Sequence, residues 1–64
     1  MEANVMETYM NNGTLLRIRL RGDEEFVGRI AWYDQAVINL ALADGSSRSL
    51  VIFKHAITFY EEAA

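Results

Sequence analysis

Phe53-Lys54-His55 sets a cation and the chain's only histidine directly after an aromatic ring, and Arg17, Arg19 and Arg21 recur at every second position. On an extended chain alternate side chains point to the same side, so these arginines form a basic stripe that could touch phosphate. Asp23, Glu24 and Glu25 follow as the densest carboxylate cluster. Consecutive residues of an extended chain point to opposite faces, so the three carboxylates do not converge as an acid and base pair must, and they read as a solvated turn. No serine has a predictable base, because the single histidine has no orienting acid nearby, and one histidine without cysteine cannot make a typical zinc site. The glycines stand singly at 13, 22, 28 and 45, so there is no phosphate-cradling loop. Arg21-Gly22-Asp23 spells a tripeptide read by some cell-adhesion receptors, and without an export signal the match is taken as chance. The chain is expected not to be an enzyme and to need no cofactor or metal.

What positions these residues must be built from 64 amino acids. A chain this short forms one domain and buries a smaller share of its surface than a larger one does, so its own core gives marginal stability. Small domains compensate with disulfides, a structural metal or association, and with no cysteine and one histidine association is what remains. A hydrophobic fraction of 52% fits an apolar interface as well as a core. The formal charge of -3 argues against holding nucleic acid by bulk electrostatics, so any RNA contact must be local. Glu2 and Glu7 interrupt the first ten residues, which therefore do not read as a secretion signal, and no apolar run is long enough to cross a bilayer. The expected location is the cytoplasm, with no membrane contact.

Periodicity predicts the elements. Val5, Met6, Tyr9 and Met10 lie at helical spacing and predict one apolar stripe on a helix over about 2–11, stopped by Asn12-Gly13. Leu16, Ile18 and Leu20 alternate with the arginines and predict a first strand. A turn at Gly22-Asp23 leads to a second strand, Phe26 to Tyr33, in which Phe26, Gly28, Ile30 and Trp32 are expected on one face, with Gly28 marking a bend or bulge. Ala36 to Ala43 forms the third, Asp44-Gly45-Ser46 a hairpin turn, Ser49 to Phe53 the fourth, and Ile57 to Tyr60 the fifth, after a very short connection at Lys54-His55. Five short strands without proline suggest a small closed barrel spanning about 14–61, since closure removes exposed edges.

Taken together, the first strand, the turn at Gly22, Phe26-Val27-Gly28-Arg29-Ile30, Tyr33-Asp34-Gln35 and Phe53-Lys54-His55-Ala56-Ile57 resemble the Sm-like family, specifically its Hfq branch. Gly28-x-Ile30-x-x-Tyr33-Asp34 is shared by Sm-like proteins generally, and Lys-His-Ala-Ile after an aromatic residue is characteristic of Hfq. The resemblance spans about Leu15 to Phe59. It implies a mainly β, Sm-like (SH3-like) bent five-stranded antiparallel barrel with a short N-terminal helix. It also implies a homo-oligomeric ring, usually a hexamer, in which the fourth strand of one subunit pairs with the fifth of the next. The face carrying the helices would bind single-stranded U-rich RNA, as RNA chaperones and riboregulators of this type do, through Gln35, Ala36, Phe53, Lys54 and His55. Amide and ammonium groups can meet uracil oxygens, and unpaired bases are read by such edge contacts and by stacking.

The departures from the family pattern lower the affinity expected. Ala36 stands where Hfq typically has a phenylalanine on which uracil stacks, and removing an aromatic platform typically costs about 1 to 3 kcal/mol per base. On the opposite face, which in Hfq reads A-rich RNA, Arg19 replaces a tyrosine and Asp23-Glu24-Glu25 a Gly-Ile-Lys stretch, so carboxylates would repel phosphate. The helix has Glu7 and Asn11-Asn12 where many Hfq proteins carry an arginine patch, leaving Arg17, Arg19 and Arg21 as candidate secondary basic contacts. Asn39 falls five residues after Asp34, which on a strand turns it away from the base-reading side of the wider family. Two readings result: a ring that binds U-rich RNA weakly at its pore, and a ring of the same fold that serves as a scaffold for other proteins with little RNA affinity.

Overall fold

A computed structural model describes residues 2–63, with side chains from residue 5 onward. It holds one helix, α1 (Glu2–Asn12), and strands β1 (Leu16–Leu20), β2 (Glu25–Tyr33), β3 (Val37–Leu42), β4 (Ser49–Phe53) and β5 (Ile57–Glu62), with a short 3-10 turn at Lys54–Ala56 before the last. The sheet is antiparallel throughout, in the order β4-β3-β2-β1-β5.

The helix ends where the Asn-Gly pair predicts. Gly13 takes φ 63°, its N–H donates to the Met10 carbonyl at 3.2 Å, and the Thr14 N–H reaches back to the Tyr9 carbonyl at 3.0 Å. Those two bonds satisfy carbonyls that the last helical turn would otherwise leave unpaired. Of the predicted stripe, Met6 is fully buried and Tyr9 and Met10 pack against the core, while Val5 at the stripe's margin stays exposed. Tyr9 meets Tyr60 of β5 edge to face, with centroids 6.2 Å apart, which ties the helix to the last strand.

The core is aliphatic: Leu16 and Ile18 of β1, Ile30 of β2, Ile38 and Leu40 of β3 and Ile52 of β4 close around Met6. No polar or charged side chain is buried among the described residues. The inward positions follow strict alternation in β1, β3 and β4, as period-two patterning requires.

In β2 the alternation breaks. Ile30 pairs with Leu40 but Trp32 pairs with Asn39, so one extra residue is inserted and the strand bulges between Ile30 and Trp32. This corrects the expectation that Trp32 shares the inward face of Gly28 and Ile30. Beyond the bulge Tyr33 packs on the core, and Trp32 turns outward, 47% exposed. Gly28 itself is not the bulge. Its backbone lies so close to the Ala41 carbonyl that a Cβ there would sit 2.9 Å from the carbonyl carbon and 3.0 Å from Leu40 Cγ.

The sheet also does not close on itself as the sequence suggests a barrel would. Among the described residues β4 pairs only with β3 and β5 only with β1, so each keeps one free edge. A second irregularity, between Arg19 and Leu20 opposite β5, bends that end of the sheet. Among the described residues no helix is long and apolar enough to cross a membrane.

Candidate nucleic-acid interface

Two turns meet where β3 begins and β4 ends. The first, between β2 and β3, is organised by Asp34, whose Oδ1 accepts the Ala36 and Val37 N–H groups, each at 2.8 Å, while its own N–H donates to the Val37 carbonyl at 3.0 Å. An Asp side chain that mimics a backbone acceptor in this way fixes a tight turn. The second is the 3-10 turn Lys54–Ala56, and the Lys54 N–H donates to the Ala36 carbonyl at 2.8 Å, joining the two.

On this joint surface Gln35, Ala36 and His55 are exposed, and Phe53 is 55% exposed. The Phe53 and His55 rings are stacked, with centroids 5.7 Å apart and planes 30° from parallel. Lys54 is half-buried with its Nζ 5.5 Å from the centre of the Tyr33 ring. That cation and aromatic pairing holds the ammonium without neutralising it. Of the five residues that the sequence singles out, Gln35, Ala36, Lys54 and His55 therefore sit on two joined turns, and Phe53 at the end of β4 leads into the second. The sequence alone gives no role to Tyr33 or Asp34: in the structure one supports the lysine and the other shapes the turn. Asp34 would be hard to recognise, since a carboxylate that caps a turn and one that is merely solvated look alike in sequence.

The Asp34 carboxyl is held below its ordinary value of 3.8, chiefly by the Val37 and Ala36 N–H groups and, to a smaller extent, by Lys54. A carboxyl whose pKa falls on folding adds stability above its unfolded value, and that contribution fades as pH drops through the lowered one. Asp34→Asn keeps an acceptor oxygen but cannot titrate. Thermal melts between pH 7 and pH 3 should therefore show a smaller loss on acidification for Asp34→Asn than for the parent, and Asp34→Ala should melt lower already at neutral pH. Equal acid slopes for parent and Asp34→Asn would mean that the carboxylate contributes nothing beyond an amide.

The arginine stripe lies elsewhere, with Arg17 and Arg19 on the outward face of β1 and Arg21 in the turn beyond it. Register places Arg17 between Val27 and Glu61, and Arg19 between Glu25 and Phe59. Arg17 Nη1 meets Glu61 at 2.9 Å, Arg19 Nε meets Glu25 at 2.9 Å, and the Arg19 guanidinium lies 5.5 Å from the centre of the Phe59 ring. Two of the three candidate basic contacts are thus engaged by carboxylates, leaving Arg21 as the stripe's exposed end, with no ion pair among the described residues. Glu61 lies 44 residues from its arginine, beyond anything local patterning could show.

A family model described as "Hfq related" matches residues 5–61. The chain belongs to the Hfq-related family. Solved structures agree: the crystal structure of the pleiotropic translational regulator Hfq superposes with a TM-score of 0.84 at 25% identity, covering 92% of this chain and 93% of that one. An Hfq protein from Anabaena sp. superposes at 0.81 and 21% identity, covering 95% and 93%, a likeness of fold. No curated protein sequence matches. The expected fold class, mainly β with five antiparallel strands and a short N-terminal helix, is observed and matches the Hfq fold, with the strands forming one open sheet within the chain where the sequence predicts a closed barrel.

Proposed function

We propose that this Hfq-related protein assembles into a homo-oligomeric ring, six-membered by analogy with its family, and binds short single-stranded U-rich RNA weakly at the surface formed by the two joined turns. The observation that carries this reading is the Lys54 N–H bond to the Ala36 carbonyl, which brings the Gln35 amide, the Lys54 ammonium and the His55 ring onto one surface. Those are donors and acceptors suited to the Watson–Crick edge of an unstacked uracil. Repeating the surface around a ring would set several such sites around one pore, and local cations could then hold RNA despite an overall acidic chain.

Fluorescence anisotropy of labelled oligo-uridylate and oligo-adenylate over a salt series tests this. Saturable binding of oligo-uridylate at low salt is expected, weakening as salt rises because phosphate contacts release counterions. Lys54→Ala should weaken binding and flatten the salt slope by about one unit for each phosphate that the ammonium meets. If oligo-uridylate shows no saturable binding at low salt, the RNA reading fails.

A second reading, a ring that scaffolds other proteins, is favoured by the engaged arginines of β1. With Arg17 and Arg19 held by Glu61 and Glu25, that face offers little free positive charge to a polyanion. Under this reading Lys54→Ala would leave partner binding unchanged.

A further inference from the structure

We propose that the outward face of β2 and β3 continues the RNA path beyond the two turns, with Trp32 stacking on one base and Arg29 meeting the backbone. The inference rests on the RNA reading above and names a part of the path that the turns do not supply. Its starting point is the bulge in β2, which takes Trp32 out of the core and leaves its ring 47% exposed. Register sets Trp32 beside Asn39, and Val37 on the same side of β3 directly follows Ala36, so the face runs unbroken from Trp32 to the first turn.

Charge decides the occupant. The outward positions of β3 and β4 are Val37, Asn39, Ala41, Ser49, Val51 and Phe53, none of them charged. Next to Trp32 on the same side of β2 is Arg29, which donates from Nε to the Gly13 carbonyl at 2.9 Å and has no carboxylate partner among the described residues. In a chain of net charge -3, the stretch of this face from Arg29 to Trp32 and across β3 therefore carries a cation and no carboxylate, while Glu25 at the start of β2 and Glu61 of β5 are held against the arginines of β1. An unneutralised cation admits phosphate more readily than ion-paired arginines do. Exposed aromatic rings beside a free cation suit single-stranded nucleic acid, because every base has a π-face and stacking tolerates any of them. The carboxamide of Asn39, which makes no hydrogen bond within the described residues, supplies an edge contact of either polarity.

Trp32 is the chain's only tryptophan, so its emission reports on this face alone. Oligo-uridylate titrated into the assembled protein should quench that emission saturably, in step with the anisotropy of the labelled RNA. Trp32→Ala should weaken oligo-uridylate binding by roughly five-fold or more, the usual loss for one stacked base, and Trp32→Phe should recover most of it. Arg29→Ala should weaken binding and flatten its salt slope. RNA that binds by anisotropy with no change in indole emission, and with equal affinity for Trp32→Ala, overturns this path and leaves the turn site standing. Absence of any oligo-uridylate binding overturns both. A Trp32→Ala protein of lower oligomeric mass would make the face a contact between copies, which also overturns the path.

Discussion

Gly28→Ala is expected to lower the melting temperature by roughly 10 °C or more, and Gly28→Val to prevent folding. The cause is steric. A methyl group at this position would lie 2.9 Å from the Ala41 carbonyl carbon, closer than real side-chain carbons approach their neighbours, and would press on Leu40 Cγ at 3.0 Å. Neither can retreat. Leu40 is fully buried, and Ala41 belongs to a strand bonded on both sides, to Arg29 of β2 and Ser49 of β4. Overpacking a well-filled core typically costs about 1–3 kcal/mol, and a chain this small has a total stability of only about 3–10 kcal/mol to draw on. Gly22→Ala is the control: an added Cβ there meets nothing within 4 Å and the residue does not need a positive φ. Circular dichroism melts of the two alanine variants should diverge sharply. If both melt with the parent, the sheet opens at Gly28 at little cost, and the close crossing of β2 and β3 is not what shapes it.

The contrast between those two glycines shows where sequence patterning ends. Both interrupt the chain in the same way to a reader of composition, and a glycine inside a strand does signal something unusual. Patterning puts the bend or bulge at Gly28, yet the bulge falls three residues later, where Ala31 and Trp32 offer no glycine, proline or turn chemistry to announce it. An inserted residue is a property of the pairing between two strands, so it cannot be read from one. Its consequence, a tryptophan on the outside and a tyrosine on the core, reverses the alternation that holds in β1, β3 and β4.

The candidate site divides along the same line. The short runs Tyr33-Asp34-Gln35 and Phe53-Lys54-His55 are legible because each is continuous in sequence and resembles a known pattern. That one turn donates a backbone N–H to the other, or that Lys54 lies over Tyr33, depends on the path of the chain between them. The arginine stripe is legible as a stripe and not as an ion-paired one, since Glu61 reaches Arg17 only through the pairing of β1 with β5. Local period shows which side chains share a face; tertiary register decides what that face meets.

Register also leaves two edges free, and Val51→Asp is expected to convert the assembled protein into species approaching the mass of a single chain, 7.3 kDa, at micromolar concentration. Edge strands that must stay solitary usually carry lysine, proline or a bulge to deter pairing. β4 carries none of these: Ser49-Leu50-Val51-Ile52-Phe53 is uncharged and regular, with Val51 54% and Phe53 55% exposed. At the other end of the sheet β5 exposes Phe59, 39% accessible, and its carboxylates come only at its last two residues. An unpaired strand on each end of one sheet allows the fourth strand of one copy to pair with the fifth of the next, and repeating that step around a closed rotation leaves no edge exposed. A carboxylate at position 51 would put a charge in place of an apolar side chain beside that junction. Light scattering should give a multiple of the chain mass for the parent and a lower value for Val51→Asp. A parent that is monodisperse at 7.3 kDa refutes the assembly, and a variant of unchanged mass places the junction elsewhere. Salt separates this junction from one held by ion pairs: six copies would carry a charge of about -18, so screening should strengthen an assembly made by backbone pairing and apolar contact, whereas it would loosen one made by opposite charges.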